Sequence, residues 1–284
     1  MNEDFINQIV EECRIRNVTE KTTGIYTYNA TKFLEWAGDK PASAFTLNDA
    51  REYILYRRNN GASPGYCNSM CSALSFFFRH ILHIPWDLDI IPRMKMDWVL
   101  PHTLTLDEVE RLIDTAQNVR NKAIIALLYS SGLRAGEIAR LAPSDIYKST
   151  MQVHIRNGKN RGDHWTILSE RALDLLTEYW YSYPVKRDFL FVTLKNPHKP
   201  LHVGGIEAML KRVGADAGID VHPHTLRHSF ATHLIEHQTS REYVQAMLGH
   251  RSSSTTELYI HISNKSLLGV KSPLDLHGKD VENE

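Results

Sequence analysis

The chain has few of the features that mark membrane, secreted or disulfide-stapled proteins. No apolar run approaches the roughly 18 residues that a membrane span requires, so no spanning helix is expected. The opening stretch MNEDFINQIVEECRIRN is acidic and lacks an apolar core region. That excludes a secretory signal and makes a cytoplasmic protein the expectation. Only three cysteines occur, Cys13, Cys67 and Cys71. They are too few for a disulfide framework and suit a reducing compartment. Cys67 and Cys71 stand four apart on an expected helix, but no second ligand pair accompanies them. Buried free thiols are therefore the reading, and no metal is expected. Net charge is lacking too, because 33 basic residues balance 33 acidic ones. Bulk charge gives no hint of a polyanionic partner. Internal repeats and low-complexity tracts are also missing.

What is present is an ordinary globular composition, 42% hydrophobic and 23% charged, over 284 residues. That length suits two domains of common size or one large one. The first ninety or so residues read as helices. TEKTTGIYTYNATKFLEWAG sets Ile25, Tyr28, Phe33 and Trp36 at roughly helical spacing and closes on Gly38. TLNDAREYILYRRNNG opens on a capping signal, carries Ala50, Tyr53, Ile54 and Tyr56 on an apolar face, and ends at Gly61. A third helix starts with Ser63 as cap and Pro64 in its first position. Prolines 85, 92 and 101 then fall within seventeen residues and predict an extended linker.

Beyond the linker, Thr105 and Glu108 predict a capping box. NKAIIALLYSSG reads as a central, buried helix ended by Gly132, and MQVHIRNGKNRGDHWTIL reads as a hairpin. Helices are expected again from Glu170 onward. Basic residues gather locally, with Lys148, Arg156, Lys159 and Arg161 in one stretch. A second stretch holds Lys186, Arg187, Lys195, Lys199, Lys211 and Arg212. Such stripes can steer a polyanion even on a neutral protein, although a plain solvated surface looks the same.

Five short stretches carry chemistry. SGLRAGEIARL puts Arg134 just past the glycine that ends the buried helix, and the hairpin loop offers Lys159. HPHTLRH offers His224 and Arg227 at a helix N-terminus. AMLGH leaves His250 just after Gly249, the residue expected to cap a helix whose start shows Thr239 and Glu242 as a capping box. SSSTTELYIH starts another helix with Ser254 and Glu257 and carries Tyr259 in its second turn. Helix ends and loops are where a rigid scaffold presents reactive groups. Two Arg, one Lys and two His around one point repel each other unless an anion binds, and guanidinium suits phosphate oxygens. A phosphodiester fits this set. No carboxylate pair or Ser-His-Asp relay is apparent.

Each residue also has an ordinary reading. Arg134 has Glu137 three residues on as an ion-pair partner, and Lys159 can be a plain surface lysine. His224, His228, His233 and His237 suggest zinc, but HTLRH lacks the glutamate of the zinc-protease motif and adds a repelling arginine. The last three read as packing or surface histidines. Tyr129 and Tyr243 fall on apolar faces and read as core tyrosines.

Taken in order, GLRAGE, NGKNRGD, HTLRH, LGH and TTELYIH resemble the tyrosine recombinase, or phage integrase, family, closest to its compact Xer-like and mobile-element members. The resemblance spans roughly residues 15–265. It implies catalytic roles for Arg134, Lys159, His224, Arg227, His250 and Tyr259, the last as nucleophile, with Arg161 standing two residues past the lysine in the same loop. The fold it implies is mainly α with a small β-sheet. A helical N-terminal core-binding domain would span residues 1–92, a linker 93–102, and a mixed α/β, mostly helical, catalytic domain with a C-terminal tail 103–284.

The implied function is site-specific recombination or integration of double-stranded DNA through a 3′-phosphotyrosyl intermediate, with neither cofactor nor metal. The two domains would close around the duplex, and four protomers would act on two sites. A type IB topoisomerase and a catalytically silent DNA-binding regulator are the alternatives. In the tail, Leu267, Leu268, Val270, Leu274 and Leu276 are too apolar for a free terminus. They either dock on their own domain or exchange onto a neighbouring protomer, and exchange is favoured.

Overall fold

The computed structural model describes residues 2–96, 102–156, 162–193, 196–249 and 270–276. The chain divides into two compact units, Met1–Val99 and Leu100–Glu284. Each is built mainly from helices, and the second adds small antiparallel sheets.

The first unit holds α1 (Asn2–Ile15), α2 (Glu20–Ala37), α3 (Leu47–Asn59) and α4 (Pro64–His80). Side-chain caps start α3 and α4 as expected. Asp49 accepts from the Thr46 backbone N–H at 2.7 Å, and the Ser63 hydroxyl accepts from Tyr66 N–H at 3.2 Å. The core forms around Phe33, whose ring meets Phe45, Tyr53, Phe77 and Phe78. Cys13, Cys67 and Cys71 are buried free thiols, and desolvation raises the pKa of each, which leaves them unreactive.

The inner face of α2 differs from the expected one. Ile25 and Tyr28 are exposed, and Asn29, Ala30, Phe33 and Leu34 face the core. The polar Asn29 masks the stripe in the sequence. It is satisfied inside by donating to the Ile25 carbonyl at 2.8 Å and accepting from the Tyr66 hydroxyl at 3.2 Å. Tyr56 on α3 is likewise exposed.

The second unit runs α5 (Leu106–Thr115), α6 (Val119–Ser130), α7 (Ala135–Arg140), β1 (Ile146–Tyr147), β2 (Gln152–Ile155) and β3 (His164–Ile167). It continues through α8 (Glu170–Ser182), β4 (Val192–Thr193), β5 (Asn196–Pro200), α9 (Val203–Ala217), α10 (Pro223–Glu236) and α11 (Arg241–Met247). The Thr105–Glu108 capping box starts α5. Every residue of α6 from Ala123 to Ser130 is buried, because α5, α8 and α10 pack around it. That explains its lack of an amphipathic pattern.

The hairpin forms with Gln152 opposite Ile167 and Ile155 opposite His164, and β1 extends it to three strands in the order β1-β2-β3. β1, which precedes the expected hairpin, was not expected, nor was the β4–β5 pair, where helices were read from Glu170 onward. Two-residue strands are too short for periodicity, and β5 contains Pro197 and Pro200. A second correction concerns α11. Its cap is Ser240, which accepts from Tyr243 N–H, whereas Thr239 N–H donates to the Leu234 carbonyl.

Tail residues 270–276 lie on this same unit. Leu274 enters its core, and the Ser272 hydroxyl donates to the Ser130 carbonyl at 3.1 Å. Asp275 accepts from Glu170 N–H at 3.0 Å, placing a carboxylate at the positive end of α8. Leu267 and Leu268 lie outside the described residues. Among the described residues, no helix is long and apolar enough to cross a membrane.

Candidate active site

The site begins where α6 stops. Gly132 follows it with φ +62°, and a Cβ there would stand 2.4 Å from the Phe230 ring of α10. Only glycine allows this left-handed turn to press so closely on α10. The chain then enters α7 with Arg134 as its N-cap residue. Three residues on, Glu137 folds back. One of its oxygens accepts from the Arg134 backbone N–H at 2.8 Å, and the other accepts from the Arg134 guanidinium at 2.7 Å.

Arg227 reaches the same carboxylate from α10, its Nη1 3.9 Å from Glu137 Oε2. Both Arg227 and Glu137 are only 5% exposed. A guanidinium that deep must be hydrogen-bonded as well as paired. Arg227 meets that need by donating to the Gly132 carbonyl at 2.7 Å and the Leu248 carbonyl at 2.6 Å. One side chain thus ties the turn before Arg134 to the end of α11.

His224 sits on the first turn of α10, which starts with His222 as N-cap accepting from Thr225 N–H at 3.1 Å and Pro223 in the first position. Partial desolvation lowers the pKa of His224, and repulsion from His222, His228, Arg227 and Arg134 lowers it further. The ring is therefore held in its neutral, proton-accepting form near neutral pH. The structure brings Arg134, His224 and Arg227 into one electrostatic cluster. Lys159, Arg161, His250 and Tyr259 lie outside the described residues, as does the helix expected from Ser254 and Glu257.

Two residues of the cluster escaped the sequence reading. Glu137 was read only as a surface ion-pair partner of Arg134, and instead it is buried between both arginines. Its spacing from Arg134 is that of a capping box, which could have flagged it. His164 opens β3 and is buried, with Glu137, Arg227 and Arg134 all acting on its charge. The remaining basic residues divide differently from the expected stripes. Arg187 is buried, its guanidinium 4.5 Å from the Tyr179 ring centre and 4.4 Å from that of Trp180, so it is no part of a solvent-facing stripe.

The rival tyrosines and histidines are structural. Tyr129 is fully buried, shares a 2.7 Å hydrogen bond with His233 Nδ1, and has its pKa raised by burial. Tyr243 packs partly buried against the core, while His228 and His237 are exposed. Among the described residues, no group of three or more His, Cys, Asp or Glu could hold a metal ion.

His164 carries a pH prediction. Burial, reinforced by Arg227, Arg134 and His154 against the opposing pull of Glu137, lowers its pKa from 6.5 to about 4. The unfolded chain then binds the extra proton between those values. Stability from this group is complete above about pH 6.5 and falls as pH drops toward 4, by about 3 kcal/mol in all. Urea unfolding of wild type and His164→Phe from pH 7 to 4.5 should show the wild type losing stability more steeply. Parallel pH dependences would refute the assignment.

Known proteins resemble the chain over most of its length. The phage integrase family profile matches residues 102–266, and the phage integrase N-terminal SAM-like domain matches residues 5–88. Tyrosine recombinase XerA of Thermococcus kodakarensis is 31% identical over 92% of this chain and 93% of its own. Tyrosine recombinase XerD of Oceanobacillus iheyensis is 31% identical over 93% of this chain and 94% of its own. Among solved structures, a XerA recombinase is 27% identical with a TM-score of 0.51, covering 94% of this chain and 96% of that one. A lambda integrase dimer bound to a core site shares the fold at TM-score 0.70 and 20% identity, covering 89% of this chain and 96% of that one. The chain belongs to the phage integrase family and is a tyrosine-type site-specific DNA recombinase. Neither the topoisomerase nor the silent-regulator alternative is favoured.

Proposed function

We propose that the chain cuts and rejoins the strands of double-stranded recombination sites with Arg134, Lys159, His224, Arg227, His250 and Tyr259 as its catalytic residues. The observation that carries this reading is Glu137, buried between two arginines from separate elements beside a neutral His224. Tyr259 attacks the phosphorus and passes its phenolic proton to His224, forming a 3′-phosphotyrosyl bond. Arg134 and Arg227 neutralise the non-bridging oxygens as charge grows on them. The bond to the 5′ oxygen breaks as Lys159 delivers a proton to it, and His250 donates a hydrogen bond to the phosphate. Attack by a new 5′ hydroxyl reverses these steps, so the bond energy is kept and neither cofactor nor metal is needed.

Residues 1–92 form the DNA-binding domain, 93–102 the linker, and 103–284 the catalytic domain. Relatives described as bound to a core site or to a difH substrate support duplex DNA and further protomers as partners. Four protomers act on two sites, and the tail exchanges between them. The working compartment is the cytoplasm, where the chain joins the nucleoid when bound to DNA.

The test uses a nicked site, on which the covalent intermediate accumulates. A shifted DNA band should appear on a denaturing gel, persist in EDTA, and map by mass spectrometry to the peptide bearing Tyr259. An adduct on another tyrosine, or its loss on chelation, would overturn the proposal.

A further inference from the structure

The end of α8 and the stretch that joins it to β4 lie mostly at the surface, with residues 181, 182, 184–186 and 188 exposed. Arg187, in their midst, is only 6% exposed. Its guanidinium carbon stands 4.4 Å from the ring centre of Trp180, 4.5 Å from that of Tyr179 and 5.6 Å from that of Tyr183. Nε, Nη1 and Nη2 are all buried, and none of them finds a hydrogen-bond partner among the described residues. The adjacent carboxylate, Asp188, is exposed and pairs instead with His198 Nδ1 at 3.1 Å.

A charge rests uneasily in such a cage. A guanidinium carries five N–H donors and stays ionised in proteins, so it does not escape the cost of burial by neutralising, as a lysine does. Aromatic faces attract the cation but do not replace the acceptors that water offers. Arg227, buried to the same degree, shows the ordinary solution, since it donates to two carbonyls and faces Glu137. Arg187 has the attraction without the acceptors. Having already left water, it gives up no hydration shell on meeting an anion.

The surroundings allow such a meeting. Arg187 is bracketed by two backbone bonds, Val185 N–H to the Tyr183 carbonyl at 2.8 Å and Leu190 N–H to the Leu141 carbonyl at 2.7 Å. The Asp188–His198 pair is a surface contact of little energy. Lys186 is exposed beside Arg187, and exposed Lys148 lines one surface cavity together with Trp180 and Tyr181.

We propose that Arg187 is a stored DNA contact, resting on Tyr179, Trp180 and Tyr183 in the free protein and leaving them to hold a backbone phosphate when DNA binds. Lys148 and Lys186 draw the polyanion to this surface, and the phosphate oxygens supply the acceptors that the rings lack. A contact of this kind fixes the protein on the duplex without reading its sequence. The role rests on duplex DNA as the partner and is independent of which residues perform the cleavage.

Arg187→Met keeps an unbranched apolar chain in the cage and removes the charge. The free full-length variant should unfold at a temperature no lower than wild type, because an uncompensated buried charge is gone. Its affinity for duplex DNA should fall roughly tenfold, equally for a recombination site and an unrelated duplex. The slope of log K against log salt should shrink by about 0.9, the share of one phosphate. Arg187→Lys restores a charge without the fork and should recover that slope. Emission from Trp180, taken as the difference between wild type and Trp180→Phe, should change on adding duplex. The same difference in an Arg187→Met background should not.

An unfolded or lower-melting Met variant would make Arg187 plain packing, and an unchanged salt slope would show that it meets no phosphate. Either result overturns the proposal. So does a Trp180 change produced by inorganic phosphate alone, which would assign a free anion instead of DNA. Intact binding to a single duplex with loss only of protomer assembly would point to a protein partner and overturn it as well. A wild type that binds no duplex would refute DNA as the partner, a failure separate from that of Arg187.

Discussion

Replacing Glu137 with Ala is expected to destabilise the second unit by about 3–5 kcal/mol, the range for removing one partner of a buried ion pair. The carboxylate is 5% exposed and accepts from the Arg134 guanidinium on one oxygen and the Arg134 backbone on the other, with Arg227 3.9 Å from the latter. Without it, two cations face each other with no anion between them, and the first turn of α7 loses its acceptor. Glu137→Gln keeps an oxygen for the Arg134 N–H and should lose less stability, while still failing to neutralise the arginines. Thermal unfolding in sulfate gives a sharper check. The anion should raise the melting temperature of Glu137→Ala more than that of wild type, because it substitutes for the missing charge. Equal responses to sulfate would show that the arginines do not depend on Glu137 for compensation.

Arg227→Ala should reduce cleavage by about 1,000-fold at saturating DNA, the scale of losing a group that binds charge developing in the transition state. Arg227→Lys should recover less than a tenth of that loss. The guanidinium donates at once to the Gly132 and Leu248 carbonyls, which face it from different turns, whereas an ammonium is a compact point charge that cannot copy the fork. The measurement separates binding from chemistry by comparing the affinity of each variant for site DNA with its rate of covalent adduct formation. A lysine variant that cleaves like wild type would reduce Arg227 to a generic positive charge.

Much of this was legible from local rules. Helix starts at Thr46, Ser63 and Thr105 followed from cap chemistry because a cap is a contact within four residues. The buried α6 and the β2–β3 hairpin were readable from an apolar run and a turn signal. The failures share a non-local cause. Asn29 looks polar in the sequence and is buried because Tyr66, 37 residues on, satisfies it. β1 and β4 are too short to show a period and β5 carries two prolines, so pairing rather than composition defines them.

At the site, motif spacing singled out Arg134, His224 and Arg227, which the structure brings together. Glu137 and His164 were missed because what places them in the cluster is burial and partners on other elements. Choosing Ser240 over Thr239 as the α11 cap needed the backbone itself, since either residue offers a hydroxyl one position apart.

The placement of tail residues 270–276 on α6 and α8 has a consequence for timing. Twenty residues, 250–269, connect this segment to Gly249. A segment tethered in the same chain as its acceptor meets it at an effective concentration in the millimolar range. At micromolar protein in free solution, a second copy is outcompeted by roughly that ratio, about a thousandfold, so each chain keeps its own tail. Two copies held on neighbouring DNA sites meet at a local concentration comparable to the tether's. If the tail exchanges as proposed, the same contacts at Ser130 and Glu170 would serve either chain's segment at little net change in free energy, and the DNA would act as the clock.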